Sequence, residues 1–335
     1  MKKILALILA LIMLVSLVAC GAENTTDPKN TENTNTSEIT KPEGYPKGAI
    51  TAICPYAAGG NTDLSLRTLL TAWEPFLGGS FVVSNVTGGS GTVAATQMVT
   101  EKTDGYVIGV LSLGNMVTST FSIDVTYDLD DFDFIGAYVC QTYGMLVNPD
   151  SQYQTFDDLV NAAKAAPIKV VCASTTEQIA VKKLNKALGT QFEDIYYNAT
   201  SDAITDLLGG RIEALLGCET SVASYLKAGQ MKLLASLSAT RFNNAPDVPT
   251  IGEMGHPECE TASYYGIGVP KGVDPEILDY LRATFMEAVN TEAFAKDVVE
   301  KCNAVASPMT YQEYYDLLVA QREEQGPLLT EMAAG

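Results

Sequence analysis

The feature that most constrains this chain is the stretch Pro55-Tyr56-Ala57-Ala58-Gly59-Gly60-Asn61-Thr62-Asp63. Before it, Ala49-Ile50-Thr51-Ala52-Ile53-Cys54 is a short apolar run rich in β-formers, which predicts a buried strand. After it, Leu66, Leu69, Leu70, Trp73 and Leu77 recur at the spacing of one helical face. The two glycines permit close backbone approach, and Asn61, Thr62 and Asp63 are good helix-starting residues. A strand, a glycine-rich turn and a helix in this order present unpaired backbone N–H groups and the positive end of a helix dipole. That is an anion site made of backbone.

Taken alone, such a stretch is also an ordinary capped βα turn. A second copy of the device sharpens the reading. Phe81-Val82-Val83 predicts a strand leading into Asn85-Val86-Thr87-Gly88-Gly89-Ser90-Gly91-Thr92, and a helix follows with Val93, Ala94, Met98 and Val99 as its apolar members. Two adjacent βα units can aim both helix starts into one cleft at the carboxyl edge of a parallel sheet. Gly89 to Ala94 also fits G-x-G-x-x-A, but it follows the second strand and lacks the acidic ribose partner about 20 positions on. No cofactor is expected.

The remainder alternates strand and helix. Tyr106 to Leu111 predicts a buried strand whose polar end, from Ser112, could line the same cleft or be a plain loop. Asp124 to Asp133 carries five aspartates without a glycine hinge or closing Glu, and reads as a solvated acidic loop. Phe134 to Val147 is too long for one short strand and is a candidate crossing into a second domain. There the polar starts and strand ends are Ser174-Thr175, Thr200-Ser201 and Glu219. Tyr264 to Val269 is suited to returning the chain. Asp274-Pro275 starts a helix with Leu278, Leu281, Phe285 and Ala288 on one face, and Thr310-x-x-Glu313 is a capping box for the last helix. Everything after Val269 reads as helical.

Lys2 and Lys3 precede an apolar segment from Ile4 to Val18, an export signal too short for a comfortable membrane span. It ends in Leu17-Val18-Ala19-Cys20, which resembles the lipobox of bacterial lipoproteins and makes Cys20 the lipid attachment site. Gly21 to Glu43 is too polar to bury a core and reads as a tether. The expected location is outside the cytoplasmic membrane on a lipid anchor, or in the periplasm if the cell has an outer membrane. A formal charge of −19 argues against nucleic acid. The six other cysteines form no CxxC, and buried free thiols are expected. A single histidine, His256, leaves histidine-based metal sites unsupported.

Several short motifs, in order from about residue 45 to 325, resemble one family. The 55–63 stretch is similar to its PYxxGGxTD loop, and Asn85 with Gly88-Gly89-Ser90-Gly91 to its second glycine-rich loop. Asp104-Gly105-Tyr106, Thr205-Asp206-Leu207-Leu208-Gly209-Gly210 and Asp247-Val248-Pro249-Thr250 resemble its DGY, TDLLGG and DVPT motifs. The family is the extracytoplasmic solute-binding protein of tripartite tricarboxylate transporters, TctC or Bug. The resemblance implies an α/β, two-lobed periplasmic-binding-protein-like (type II) fold with two hinge-crossing strands and a central cleft. It divides the chain into a signal peptide (1–20), a tether (21–44), lobe 1 (45–141 plus 267–335) and lobe 2 (142–266).

It further implies that Tyr56, Gly59, Asn61, Thr62, Asp63, Gly88, Ser90 and Thr92 grip one carboxylate of a small organic acid. Ser112 extends this set. Ser174, Thr175, Thr200, Ser201 and Glu219 are the second-lobe candidates, although the chain departs from the family pattern at Ala173-Ser174-Thr175 and Gly217-Cys218-Glu219. Asp63 is expected to act as a helix cap, because a carboxylate facing a carboxylate is repulsive. The implied partners are the transporter's membrane subunits, with the protein acting as a monomer and not as an enzyme. A sensing lipoprotein of the same fold is the open alternative. An extracellular hydrolase finds no support, since the chain lacks GxSxG and a histidine with a nucleophile partner.

Overall fold

The computed structural model describes residues 40–197 and 199–334. The export segment, Cys20 and the tether up to residue 39 lie outside the described residues. Among the described residues no helix is long and apolar enough to cross a membrane.

The first βα unit forms as its apolar spacing predicts. Strand β1 (Ile50–Cys54) leads into helix α1 (Asn61–Leu77), whose Leu66, Leu69, Leu70, Trp73 and Leu77 are all buried. Strand β2 (Phe81–Asn85) is followed by a single 3-10 turn (Gly89–Gly91) and helix α2 (Thr92–Met98). Here one expectation is corrected. Val93 is 48% exposed, because in so short a helix Ala94, Ala95 and Met98 carry the inner face. Strand β3 (Val107–Ser112) ends in a π-type turn (Gly114–Thr118).

Strand β4 (Phe132–Val147) is followed by helix α3 (Phe156–Ala165), strand β5 (Ile168–Cys172), helix α4 (Thr175–Leu188), strand β6 (Phe192–Tyr196) and helix α5 (Thr200–Leu208). Strand β7 (Ala214–Cys218), helix α6 (Glu219–Lys227), strand β8 (Lys232–Ser236) and strand β9 (Ala262–Pro270) come next. Helices α7 (Pro275–Val289) and α8 (Glu292–Cys302), strand β10 (Val305–Thr310) and helix α9 (Tyr311–Ala334) complete the chain.

Among the described residues the ten strands form one mixed sheet, ordered β2-β1-β3-β9-β4-β7-β5-β6, with β8 and β10 also paired to β4. Each end is parallel: β1 with β2 and β3, and β5 with β6 and β7. β4 joins the two ends. Residues 132–142 run antiparallel to β9, and residues 143–147 run antiparallel to β7 and β8. Separate apolar clusters fill the two ends, one around Trp73, Leu281 and Phe285, the other around Leu159, Val170 and Leu216.

β10 corrects the all-helical reading of the C-terminal region. It pairs with β4 on both sides of an irregularity at Ser307-Pro308, where proline has no N–H to donate. The acidic loop is not simply solvated either. Asp128 pairs with Arg322, Asp130 accepts from the Tyr315 hydroxyl, and Asp133 pairs with Lys271, so the loop ties down helix α9 and the end of β9.

Candidate ligand-binding site

β1 and β2 lie in parallel register to their last residues, Cys54 opposite Asn85, so the loops that follow both leave the same sheet edge. Asp63 braces them. Its buried carboxylate accepts from the Gly59 N–H, Arg67 Nε and Asn85 Nδ2, each at 2.9 Å. The same Asn85 amide donates to the Tyr56 carbonyl at 2.8 Å. Burial pushes the Asp63 carboxyl up, but the bonds from Arg67, Gly59 and Asn85 outweigh it and hold the group below its ordinary range. The Arg67 side chain is 49% exposed, so this pair braces the loop from the solvent side.

Asp63 therefore turns inward, and the start of α1 is left open. Its N-cap is Gly60, which offers no side-chain acceptor to Asn61, Thr62 and Asp63 in the first turn. The α2 N-cap, Gly91, offers none either. Between them, Gly88, Gly89, Ser90 and Gly91 hold φ of 132°, 52°, 51° and 94°, curling the backbone into a loop, exposed at 88–90 and buried at Gly91, that only glycine-rich sequence tolerates. The Tyr56 hydroxyl donates to the Ser90 carbonyl at 3.1 Å. At Gly91 a Cβ would stand 3.1 Å from Pro55 Cβ and 3.2 Å from Asn115 Cβ, so the 55–60 loop, the 88–91 loop and the 114–118 turn converge there.

Some expected contacts are engaged within the loops themselves. Thr92 Oγ1 donates to the Gly89 carbonyl at 2.8 Å, and Ser112, buried, donates its N–H to Asn115 Oδ1 at 2.7 Å. Tyr265 on β9 also belongs here, directly opposite Ser112 in the β3–β9 pairing. Nothing in its apolar strand marked it in the sequence.

On the other half, Ser174 is the N-cap of α4 and exchanges bonds with Glu177, whose carboxylate accepts from the Ser174 N–H at 3.1 Å. α4 packs on the 114–118 turn of the first half. Thr200 and Ser201 open α5, with Ser201 exposed. Glu219, fully buried, accepts from Thr142 Oγ1 at 3.0 Å and from the Asn244 backbone N–H and Nδ2 at 2.8 Å each. Here Glu219 fastens α6 to β4 and the 243–244 loop. Cys54, Cys140, Cys172, Cys218, Cys259 and Cys302 are all buried and free.

Burial pushes the Glu177 carboxyl up to about 7, against the Ala173 and Ser174 N–H groups that lower it. The folded value lies above the ordinary 4.5, so the fold favours the protonated form. This contribution is full below about pH 4.5 and is lost as pH rises through the folded value. Glu177→Gln should gain on the wild type by at most about 1.4 kcal/mol per pH unit across that window. Urea unfolding at about pH 5 and about pH 8 reads the difference, and a gap that does not change with pH contradicts it.

A cavity of about 340 Å³ lies elsewhere, against Lys183, Glu258, Glu260, Tyr264 and Glu324. Its one lysine is paired with Glu324 at 2.6 Å, so its acidic walls suit a carboxylate poorly.

Comparison with known proteins identifies the family and the fold. A protein from Cupriavidus necator, described as a UPF0065 protein in the gbd 5' region, is 28% identical over 261 residues, covering 76% of this chain and 79% of its own. BugT of Bordetella pertussis is 27% identical, with 74% and 78% covered. A TctC solute-binding protein from Polaromonas superposes with a TM-score of 0.75 at 25% identity, covering 86% of this chain and 99% of its own. An R. palustris protein solved with adipate shares the fold at a TM-score of 0.74 and 23% identity, with 87% and 98% covered. Residues 66–333 match the family model described as tripartite tricarboxylate transporter family receptor. The chain has the α/β fold of periplasmic binding proteins and belongs to the TctC family of tripartite tricarboxylate transporter receptors.

Proposed function

We propose that this protein captures a small carboxylate-bearing organic acid outside the cytoplasmic membrane and delivers it to the membrane subunits of a tripartite tricarboxylate transporter. It is not an enzyme in this reading. The observation that carries it is the uncapped start of α1 facing the left-handed 88–91 loop across one sheet edge, with Asp63 turned away from the opening. Backbone N–H groups there would take one carboxylate, helped by dipole terms of about 0.3–1 kcal/mol per helix end. Micromolar affinity requires about −8 kcal/mol in all, within reach of such donors once the second half closes over the ligand. Two Rhodopseudomonas palustris proteins of this fold, one solved with adipate and one with bound malate, support an organic acid as ligand.

In this reading lobe 1 is 45–141 with 267–335 and lobe 2 is 142–266, moving about β4 and β9. Cys20 carries the lipid, and the protein works as a monomer tethered by residues 21–44.

Gly91→Val tests the site. At φ 94° and with Pro55 and Asn115 in contact distance, a branched side chain must part the two loops. The dissociation constant of a bound mono- or dicarboxylic acid should rise by more than about tenfold in titration calorimetry. Unchanged affinity would remove the second loop from the site.

A further inference from the structure

We infer that Gln141 reads the far end of the bound acid, and that this end is an uncharged hydrogen-bonding group, an amide or a hydroxyl, and not a second carboxylate. The inference rests on the acid-binding role proposed above.

The β4 register places Gln141. Val139 lies opposite Tyr265 and Gln141 opposite Ser263 on β9, while Tyr143 lies opposite Cys218 on β7. Directly opposed residues share a face, and alternate residues along a strand return to it. Tyr265, Gln141, Tyr143 and Cys218 therefore occupy one face, where β4 passes between the two halves of the sheet. It is the face that carries Ser112 at the end of β3, which lies directly opposite Tyr265.

Gln141 is 1% exposed, and only one end of its amide is satisfied. Oε1 accepts from Cys218 Sγ at 3.1 Å and from Thr220 Oγ1, whereas Nε2 has no partner. Turning the amide over exchanges the two ends but leaves one unpaired, because a hydroxyl and a thiol can also accept. Leaving a buried polar group unpaired is destabilising. A ligand that completes the pairing explains why the site keeps it.

The charge around this face selects the partner. Glu177 and Glu219 begin the neighbouring helices, and both are buried. Burial pushes the Cys218 thiol up against the bonds to Thr220 that lower it, and Glu177 and Glu219 add a smaller push upward. Among the described residues no lysine, arginine or histidine bonds to Gln141, Tyr143, Cys218, Glu177 or Glu219. With no cation there to receive it, a second carboxylate would lose its hydration without gaining a counter-charge. An amide or hydroxyl carries both a donor and an acceptor and suits either orientation of the glutamine.

Titration calorimetry of the intact protein tests this with matched pairs: succinamate against succinate, glutaramate against glutarate, adipamate against adipate, and 4-hydroxybutyrate against succinate. The tightest binder should be a monoamide or the hydroxy acid, at least about tenfold tighter than its diacid. Gln141→Met should erase that preference; because it also removes the acceptor of Cys218 and Thr220, the readout is the ratio of monoamide to diacid affinity and not the unfolding midpoint. A purely structural glutamine would lower both affinities alike and leave that ratio unchanged. A diacid that binds as tightly as its partner, or an unchanged preference in Gln141→Met, overturns the inference and leaves the acid-binding role standing. If Gln141→Met does not fold, the wild-type panel decides alone. Folded protein that binds none of these acids removes the acid-binding role and this inference with it.

Discussion

Asp63→Ala is expected to weaken acid binding roughly a hundredfold, about 2.7 kcal/mol, although the carboxylate need not touch the ligand. The substitution releases the Gly59 N–H, Arg67 Nε and Asn85 Nδ2 together, and with Asn85 the hold on the Tyr56 carbonyl. The loop that presents the open helix start then loses its shape. Stability should fall by about 2 kcal/mol, less than for a fully buried pair because the guanidinium is half exposed. The pH dependence has a definite sign. The Asp63 carboxyl is held below its ordinary 3.8, so its contribution is present above that value and is lost as pH falls through the folded one. The stability gap between mutant and wild type should therefore be widest near neutrality and close in acid. Urea unfolding across this range, paired with titration calorimetry, measures both effects. Unaltered acid affinity would mean that the brace does not shape the site.

Trp73→Ala should cost about 3–5 kcal/mol, the range for removing a fully buried aromatic side chain. Trp73 has no exposed surface and packs tilted against Phe81 and edge-on against Phe285, at ring distances of 5.1 and 5.2 Å. Its indole N–H donates to Thr284 Oγ1 at 2.9 Å. Thr284 keeps its own bond to the Tyr280 carbonyl, so the loss is mainly cavity and packing. Because Trp73 lies more than two turns along α1 from the open start, acid affinity at temperatures where the mutant is folded should match the wild type. A loss below about 1 kcal/mol would mean that the core collapses around the gap.

The two predictions divide along what the sequence makes visible. Leu66, Leu69, Leu70, Trp73 and Leu77 declare their helix because one buried face imposes one spacing, and the glycines of the 88–91 loop declare a backbone that other residues resist. β10 stayed hidden because Pro308 interrupts it, and only the pairing with β4 makes it a strand. Glu219 reads as a polar strand end open to ligand, yet Thr142 and Asn244 enclose it, contacts contributed by distant segments. Gln141 and Tyr265 were illegible for a related reason. In an apolar run a polar or aromatic residue declares no face, and only register puts both on the side that the loops cover. Local periodicity carries the framework and the first half of the site, whereas the second half depends on pairings between strands far apart in sequence.

The central claim is that the open start of α1 and the 88–91 loop hold a carboxylate. The most direct measurement is a thermal-shift screen of the intact protein against small mono-, di- and tricarboxylic acids, with the corresponding neutral amides and alcohols as controls. Binding to the folded state stabilises it by about 2.7 kcal/mol at a hundredfold excess over Kd. The account predicts a clear shift with at least one acid and none with its carboxylate-free counterpart. A folded protein that shifts with no acid, or equally with the neutral counterpart, would contradict it.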